Sequence, residues 1–442
     1  MHLAFVSIPA YGHVNPTLPL VAELVARGHR VTYFTSADFE PLIRKAGADF
    51  HASGGNWMAS MPALGPGQRA QAHLMLPIMH RVFEDLRTSF PALVDQLRQD
   101  PPDAICFDAM TLSGSMAAEK IGAPAIALMP TYATNEHFSL RSLMPAPPPD
   151  GADEMAKVAL AMGRLLAEFA AGQGVRTPRM FDGPPAPFNI VFLPREFQPM
   201  GATFDDRFRF VGPSVGGRDT DGEWEREGTG PLLFISLGTT PLNRRPDFFR
   251  MCLDAFGGSE WDVAMAVGDQ TSMADLGTIA PNIRVRPVFP QLQVLRRTAV
   301  FITHAGMNST MEALYYAVPM VAVPQQPEQA ATARRLEELG LGLRLAPEDV
   351  GSEALRAAVT AVHTDAQVRR NLAAMLDVVR SAGGAVAAAD AIEARVQHGA
   401  GRFGDVVAAH VRQPTVDGGV GGAHRDQLEG VDRARLAVDG QH

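Results

Sequence analysis

The chain has 442 residues, 46% of them hydrophobic and 20% charged, with a formal net charge of −9. Such a length holds roughly two to three ordinary domains, each with its own core. The acidic balance argues against a general binder of nucleic acid or of membrane surfaces, so a phosphate-bearing ligand would be held by local geometry rather than by a basic face.

The N-terminus, M-H-L-A-F-V-S-I-P, lacks a basic region followed by a long apolar core, so no signal peptide is expected. Leu3–Ile8 reads as a first strand and Pro9–Pro16, P-A-Y-G-H-V-N-P, as a turn rich in breakers. Thr17–Arg27 has helical spacing (Leu18, Val21, Leu24, Val25), Gly28 closes it, and Arg30–Thr35 resumes as a strand. This βαβ opening implies a parallel sheet with a ligand site at the carboxyl end of its strands. The turn lacks G-x-G-x-x-G, which gives a dinucleotide little support. His13 in that turn has two readings: a surface or capping histidine, or a general base able to take a proton near neutral pH.

Further on, Met75, Met79, Val82, Phe83 and Leu86 share one helical stripe, whose default explanation is core packing. Pro102–Asp108 is a strand ending in an acid, and a helix follows over Ala109–Lys120. Locally, Asp108 is best read as the cap of that helix. Ala125–Met129 is a strand, and Pro130–Met144, with Tyr132, His137 and Phe138, reads as a pocket-lining loop. A helix is expected from about Glu154 to Ala171, then strands at Ile190–Leu193 and Phe208–Val211. Gly212–Gly230 is rich in glycine and charge and reads as a linker. Its Asp219-Thr220-Asp221 is literally a D-x-D but has no strand context, so no metal is expected there. The two cysteines, Cys106 and Cys252, lie in apolar surroundings, which predicts a reduced, cytoplasmic protein without disulfides.

A second α/β unit starts at Leu232–Leu237, followed at once by Gly238-Thr239-Thr240. Trp261–Val267 is a strand, and Ile283–Val288 leads into Phe289-Pro290-Gln291. Thr298–Ile302 reads as the end of a buried strand. His304, Ala305 and Gly306 then make a tight turn, and Asn308, Ser309 and Thr310 can cap a helix running through Glu312, Ala313 and Leu314. A strand turning into a freshly capped helix leaves N–H groups pointing outward with the helix dipole behind them, a site suited to phosphate. His304 can donate to a phosphate oxygen, while Glu312 in the first turn suits the hydroxyls of a ribose. The plain alternatives are that Asn308 and Ser309 only cap and that Glu312 is a solvated acid. The Asn-Ser-Thr sequon here is read as capping chemistry. Pro319–Val323 is a strand and Pro324–Gln329 a loop, with helices over 329–339, 352–363 and roughly 366–397. No apolar run approaches the ~18 residues that cross a bilayer. Beyond Gly399 the composition reads as a disordered tail.

H-A-G-M-N-S-T-M-E-A-L, followed by V-P-Q-Q-P-E-Q, resembles the donor-nucleotide signature of family 1 glycosyltransferases, which use UDP-sugars. Its wording is most similar to the bacterial macrolide-glycosyltransferase subgroup. The resemblance implies that His304, Asn308 and Ser309, with Gly306 of the same turn, bind the diphosphate and that Glu312 binds the ribose. It places the catalytic base on His13 of G-H-V-N-P and the aspartate that orients it on Asp108. Gly238-Thr239-Thr240 resembles the family's S-L-G-[ST] turn, with Thr239 reaching the diphosphate. Phe289-Pro290-Gln291 resembles the end of W-x-P-Q, with Gln291 a ribose contact. There the chain departs from the pattern, because the stacking aromatic falls on Val288. Either Phe289 rotates in to stack, or backbone near 289 holds the base. Glu328-Gln329 matches the acid–Gln pair that binds sugar hydroxyls. The acceptor pocket implied by the resemblance is lined by Met75, Met79, Phe83, Met110, Tyr132 and Phe138.

The fold implied is α/β of the GT-B type: two Rossmann-like domains face each other across a cleft, and a C-terminal helix crosses back to the first. The boundaries expected are 1–212, a linker at 213–230, 231–380, the crossing helix at 381–398 and a tail at 399–442. The activity implied is inverting, metal-independent transfer of a hexose, glucose foremost, from UDP-sugar to a hydroxyl of a hydrophobic natural product. The UDP-sugar is a co-substrate and no cofactor is expected; no nucleic acid or membrane span is expected either. The alternatives are a dTDP-deoxysugar glycosyltransferase of antibiotic biosynthesis and a UDP-sugar 2-epimerase of the same fold.

Overall fold

The computed structural model describes residues 1–57, 72–143, 149–178, 185–216, 224–226, 228–238, 245–269 and 271–399, with side chains except at 72–75, 149–155, 398 and 399. Met1–His398 form one compact unit. In its first half, β1 (His2–Val6) leads through a single helical turn, α1 (Tyr11–Val14), and α2 (Leu18–Ala26) to β2 (Arg30–Thr35), α3 (Glu40–Lys45) and β3 (Asp49–Ala52). Then α4 (Ala72–Gln99) precedes β4 (Ala104–Asp108), α5 (Leu112–Ile121) precedes β5 (Ala125–Met129), and α6 (Pro149–Gln173) precedes β6 (Asn189–Val191) and β7 (Phe208–Phe210). Among the described residues these strands form a seven-stranded parallel sheet in the order β3-β2-β1-β4-β5-β6-β7.

The second half repeats the plan. β8 (Leu232–Ser236), α7 (Pro246–Phe256), β9 (Asp262–Ala266) and β10 (Ile283–Arg286) are followed by α8 (Gln291–Leu295), β11 (Val300–Thr303), α9 (Met307–Tyr315) and β12 (Met320–Ala322). Then come α10 (Pro327–Glu338), β13 (Gly342–Arg344), α11 (Ser352–Thr364), α12 (Ala366–Ser381) and α13 (Gly384–Gly399). The six described strands are again all parallel, in the order β10-β9-β8-β11-β12-β13. Continuous apolar runs such as L-L-F-I in β8 form central strands because helices cover both faces, leaving no solvent side for alternation. Leu3, Phe5, Leu233 and Ile235 are fully buried, each worth roughly 1.5–3 kcal/mol of transfer free energy.

Both sheets reverse their winding beside the first strand of the half, between β1 and β4 and between β8 and β11. Loops leaving the carboxyl ends of such neighbours diverge to opposite faces and open a crevice. His13 follows β1 and Asp108 ends β4. Gly238 and His304 follow β8 and β11.

Several elements differ from expectation. The breaker-rich turn contains α1, because Ala10 is extended and its carbonyl accepts from the N–H groups of His13 and Val14, both at 2.9 Å. The single helix expected over 366–397 is broken: α12 ends at Ser381, and Gly384 donates its N–H to the Val211 carbonyl of the first half at 2.8 Å. Pro327 begins α10, so Glu328 and Gln329 lie in a helical first turn rather than a loop.

The stretch Ala366–Gln397 also includes a window apolar enough to cross a bilayer by composition, contrary to the sequence expectation. Part of the stretch packs inside the molecule: Ala388, Ala389 and Ile392 of α13 are buried in the same cluster as Leu3, Val21 and Leu24 of the first half. Arg27 clamps that contact by donating to Asp390 at 2.7 Å and Glu393 at 2.8 Å, and His29 meets Glu393 at 2.6 Å. Residues 400–442, which include most of the expected tail, lie outside the described residues.

Candidate active site

At the switch point of the first sheet, the His13 Nδ1 lies 2.6 Å from Asp108 Oδ2. Asp108 is only 1% exposed, and its other oxygen accepts the Met110 N–H at 2.7 Å. The local reading of Asp108 as a helix cap gives way here: α5 is capped by Thr111, whose hydroxyl accepts from Gly114 N. Burial disfavours a charged His13, but the Asp108 charge, the Asp108 hydrogen bond and, least, the charge of Glu328 outweigh it, so the pKa is raised above the ordinary histidine value. A carboxylate on Nδ1 fixes the tautomer that leaves Nε2 as the basic nitrogen. The turn carrying His13 is itself pinned. Thr17 donates its hydroxyl to the Val14 carbonyl at 2.8 Å and shares a 2.8 Å bond with the buried Tyr33 hydroxyl.

At the second switch point, His304 is buried. Burial lowers its pKa to about 4, against a smaller opposing effect of a hydrogen bond with the Ser236 backbone. At neutral pH it is therefore a neutral imidazole that can offer an N–H to an anion but no charge. Space for its ring comes from two glycines. A Cβ on Gly306 would sit 2.2 Å from Nε2, and one on Gly238, whose φ is +77°, would sit 2.7 Å from Cε1. The left-handed residue of the turn is Ala305 (φ +59°) rather than a glycine, a conformation that costs an L-residue roughly 1–2 kcal/mol. Gly306 is extended and serves as the N-cap of α9.

Asn308 and Ser309 therefore do not cap. They lie in the first turn of α9, where Asn308 donates to Glu312 Oε1 at 3.2 Å. Gln291 reaches across from α8, donating to Ser309 Oγ at 3.2 Å and to Glu312 Oε2 at 2.6 Å. Four residues separated by up to twenty-one positions thus form one network beside the N-terminus of α9. Glu312, one turn further in than expected, is 2% exposed, so it is not a solvated acid.

Glu328 and Gln329 stand at the start of α10. The buried Gln329 accepts the Gln325 N–H at 2.8 Å, and Arg245 braces Gln325 by donating to its side-chain oxygen at 2.9 Å. Glu328 reaches the other half: its Oε1 accepts the Thr131 hydroxyl at 2.7 Å. Sequence reasoning missed Thr131 and named its neighbour Tyr132 instead. The available signal was position, because Thr131 leaves the carboxyl end of β5, next to the strand that ends in Asp108.

Other expectations are corrected by packing. The Phe289 ring is 5% exposed, set edge-on against Trp224 and Phe234 with Arg286 over its face, so it is core and does not turn out to stack. Val288, the position matched to the stacking aromatic, is 59% exposed. Met79 and Phe83 pack with Val158 and Met162 between α4 and α6. Tyr132 stacks on Phe197 and meets Phe138 edge-on, and both Tyr132 and Phe138 are buried. Phe83 is buried too and Met79 is half-buried, while Met110, also half-buried, touches the His13–Asp108 pair through its backbone N–H. Thr239, the Asp219-Thr220-Asp221 segment and the Met75 side chain lie outside the described residues.

Residues 250–385 match the model of the erythromycin biosynthesis protein CIII-like C-terminal domain. The chain is 40% identical over 407 residues to an NDP-glycosyltransferase of Bacillus licheniformis, spanning 89% of this chain and 97% of that one. It is 36% identical over 404 residues to the demethyllactenocin mycarosyltransferase of Streptomyces fradiae, covering 89% and 86% respectively. Among solved structures, a calicheamicin glycosyltransferase superposes with a TM-score of 0.75 at 32% identity, over 90% of this chain and 98% of that one. Two parallel α/β sheets, with an α13 that returns to pack on the first half, are the GT-B arrangement. The chain belongs to the family 1 glycosyltransferases, in their macrolide-glycosyltransferase subgroup, and is a hexosyltransferase of the natural-product type.

Proposed function

We propose that the enzyme transfers a hexose, glucose foremost, from UDP-sugar to a hydroxyl of a hydrophobic natural product of macrolide or polyphenol type, with inversion and without a metal. The observation that carries this reading is the His13–Asp108 pair at 2.6 Å, in a half that Glu328 of α10 reaches from the other half through Thr131. His13 Nε2 takes the acceptor proton while Asp108 stabilises the imidazolium. The freed oxygen bonds to the anomeric carbon as the bond to UDP breaks on the opposite face, through an oxocarbenium-like state. UDP departs with the electron pair. His304, Ser309, Asn308, Thr239 and the N–H groups at the start of α9 meet its diphosphate as it gains charge. Gln291 and Glu312 take the ribose hydroxyls, and Glu328 with Gln329 takes the sugar.

A cytoplasmic location goes with this reading, supported by the two buried, free cysteines. The second reading keeps the mechanism and changes the donor to a dTDP-deoxysugar. It is favoured by the valine at 288, which gives the base no aromatic platform, and by the mycarosyl transfer named for the Streptomyces relative. A 2-epimerase would need no acceptor and leaves the His13–Asp108 pair without a hydroxyl to deprotonate.

A mass-spectrometric screen separates these readings: a panel of macrolides and polyphenols incubated with UDP-glucose or dTDP-glucose. A hexose mass added to at least one acceptor, faster from the UDP donor, is the expected outcome. Preference for dTDP-glucose would favour the second reading. Epimer formation from UDP-GlcNAc alone would contradict both.

A further inference from the structure

We propose that Thr17 and Tyr33 are positioning residues for catalysis: a buried hydroxyl chain from β2 closes the turn that carries His13 and so sets the imidazole against Asp108. The inference rests on the reading of His13 as the base. It assigns the accuracy of that base's placement to two side chains buried out of reach of any substrate.

α1 is a single turn, followed directly by a tighter three-residue turn, Asn15–Thr17. In an unbroken α-helix the Leu18 N–H would go to the Val14 carbonyl. Here it goes to the Asn15 carbonyl instead, so the last carbonyl of α1 needs another donor. The Thr17 hydroxyl supplies it at 2.8 Å. That hydroxyl has one hydrogen, so in its 2.8 Å contact with Tyr33 the phenol is the donor. The direction from Tyr33 to Thr17 to the Val14 carbonyl is therefore fixed. Burial keeps the Tyr33 phenol protonated well beyond neutral pH. Thr17 is 1% exposed and Tyr33 0%, which leaves no route for bulk water to replace either partner.

The sheet gives this chain of bonds its consequence. Tyr33 lies on β2 in register with Phe5 of β1 and stacks on that ring at 5.7 Å. The other edge of β1 pairs with β4, which ends in Asp108. The turn leaving β1 is thus tied to β2 through Thr17 and meets β4 through the 2.6 Å contact of His13 with Asp108. Two neighbouring strands act as fixed points for one imidazole. Without the Thr17 hydroxyl, the Val14 carbonyl and the Tyr33 O–H are both left unpaired in the core, and the turn shifts to find partners. A displacement of about 1 Å at a reacting group can cost on the order of 10²-fold in rate.

The test compares Thr17→Val, which keeps the shape and removes the hydroxyl, with Thr17→Ser, which keeps the hydroxyl. The first readout is the low-field proton NMR signal of the His13 ring N–H bound to Asp108, in full-length protein without substrates, assigned by its loss in His13→Ala. It should move upfield in Thr17→Val and stay in place in Thr17→Ser. The second readout is transfer from UDP-glucose to an acceptor found in the screen above. There kcat should fall about 10²-fold in Thr17→Val with the donor KM unchanged, while Thr17→Ser stays within a few-fold of the parent. A folded Thr17→Val with the parent signal and the parent kcat would overturn the proposal, as would an equal loss in Thr17→Ser. Should Thr17→Val not fold, Tyr33→Phe carries the test, because it removes only the donated hydrogen; an unmoved signal there would overturn the proposal too. Failure of the underlying reading looks different: His13→Ala would turn over normally even though the signal followed Thr17.

Discussion

Replacing His13 with alanine is expected to lower kcat/KM for transfer by roughly 10²–10⁴-fold, about 3–5 kcal/mol of transition-state stabilisation. The cause is local. The imidazole stands on α1 in the first half, with Nδ1 bound to Asp108, leaving Nε2 as the nitrogen that can accept a proton. Alanine removes the base but leaves the α9 turn, His304 and the Gln291–Ser309–Glu312 network intact. UDP affinity, measured by calorimetry, should therefore be unchanged while turnover collapses. A variant that turns over normally would remove His13 from the mechanism. One that also loses UDP binding would mean the substitution had disturbed the fold.

Asp108→Asn is expected to cost a similar factor for a different reason. An asparagine amide can donate to Nδ1 as readily as accept from it, which moves the ring proton to Nε2 and blocks the base. Its pH profile carries a second signature. In the parent enzyme the Asp108 charge and hydrogen bond raise the His13 pKa against burial. Activity requires the neutral imidazole, so it rises as pH passes upward through that pKa. With the carboxylate gone, burial dominates and the acid limb should shift to lower pH, on a greatly reduced plateau. A limb that stays in place, or moves up, would show that Asp108 does not govern His13.

Much of this site was legible in the sequence because its parts are local. A strand, a turn and a helix start are encoded within a dozen residues, as in F-I-T-H-A-G-M-N-S-T-M-E, and their order at a switch point follows from parallel topology. What sequence could not resolve depends on distant packing. Phe289 looked free to rotate because its neighbours Trp224 and Phe234 are remote in the chain. Tyr132 and Phe138 looked like pocket walls because Phe197, which fills the space beside Tyr132, comes some sixty residues later. The capping role given to Asn308 and Ser309 failed for a smaller reason. Ala305 adopts the left-handed conformation, so the extended Gly306 becomes the cap and both side chains are moved into the helix.

Thr131 and Glu328 show the same limit from the other side. Glu328 is marked in the sequence only as a sugar contact and Thr131 not at all, and their separation of 197 residues hides the contact between them. Asp108 is the intermediate case. A local rule made it a helix cap, the family resemblance made it the partner of His13, and the 2.6 Å contact agrees with the second.

The most direct test of direct displacement by a hydroxyl that His13 activates is the anomeric configuration of the product. A UDP-sugar carries its hexose in the α configuration, and a single attack from the face opposite UDP must invert it. Proton NMR of the glucoside made from UDP-α-glucose and the best acceptor found should therefore show a β linkage alone. An α-linked product would contradict single displacement and require a different set of residues at the anomeric carbon.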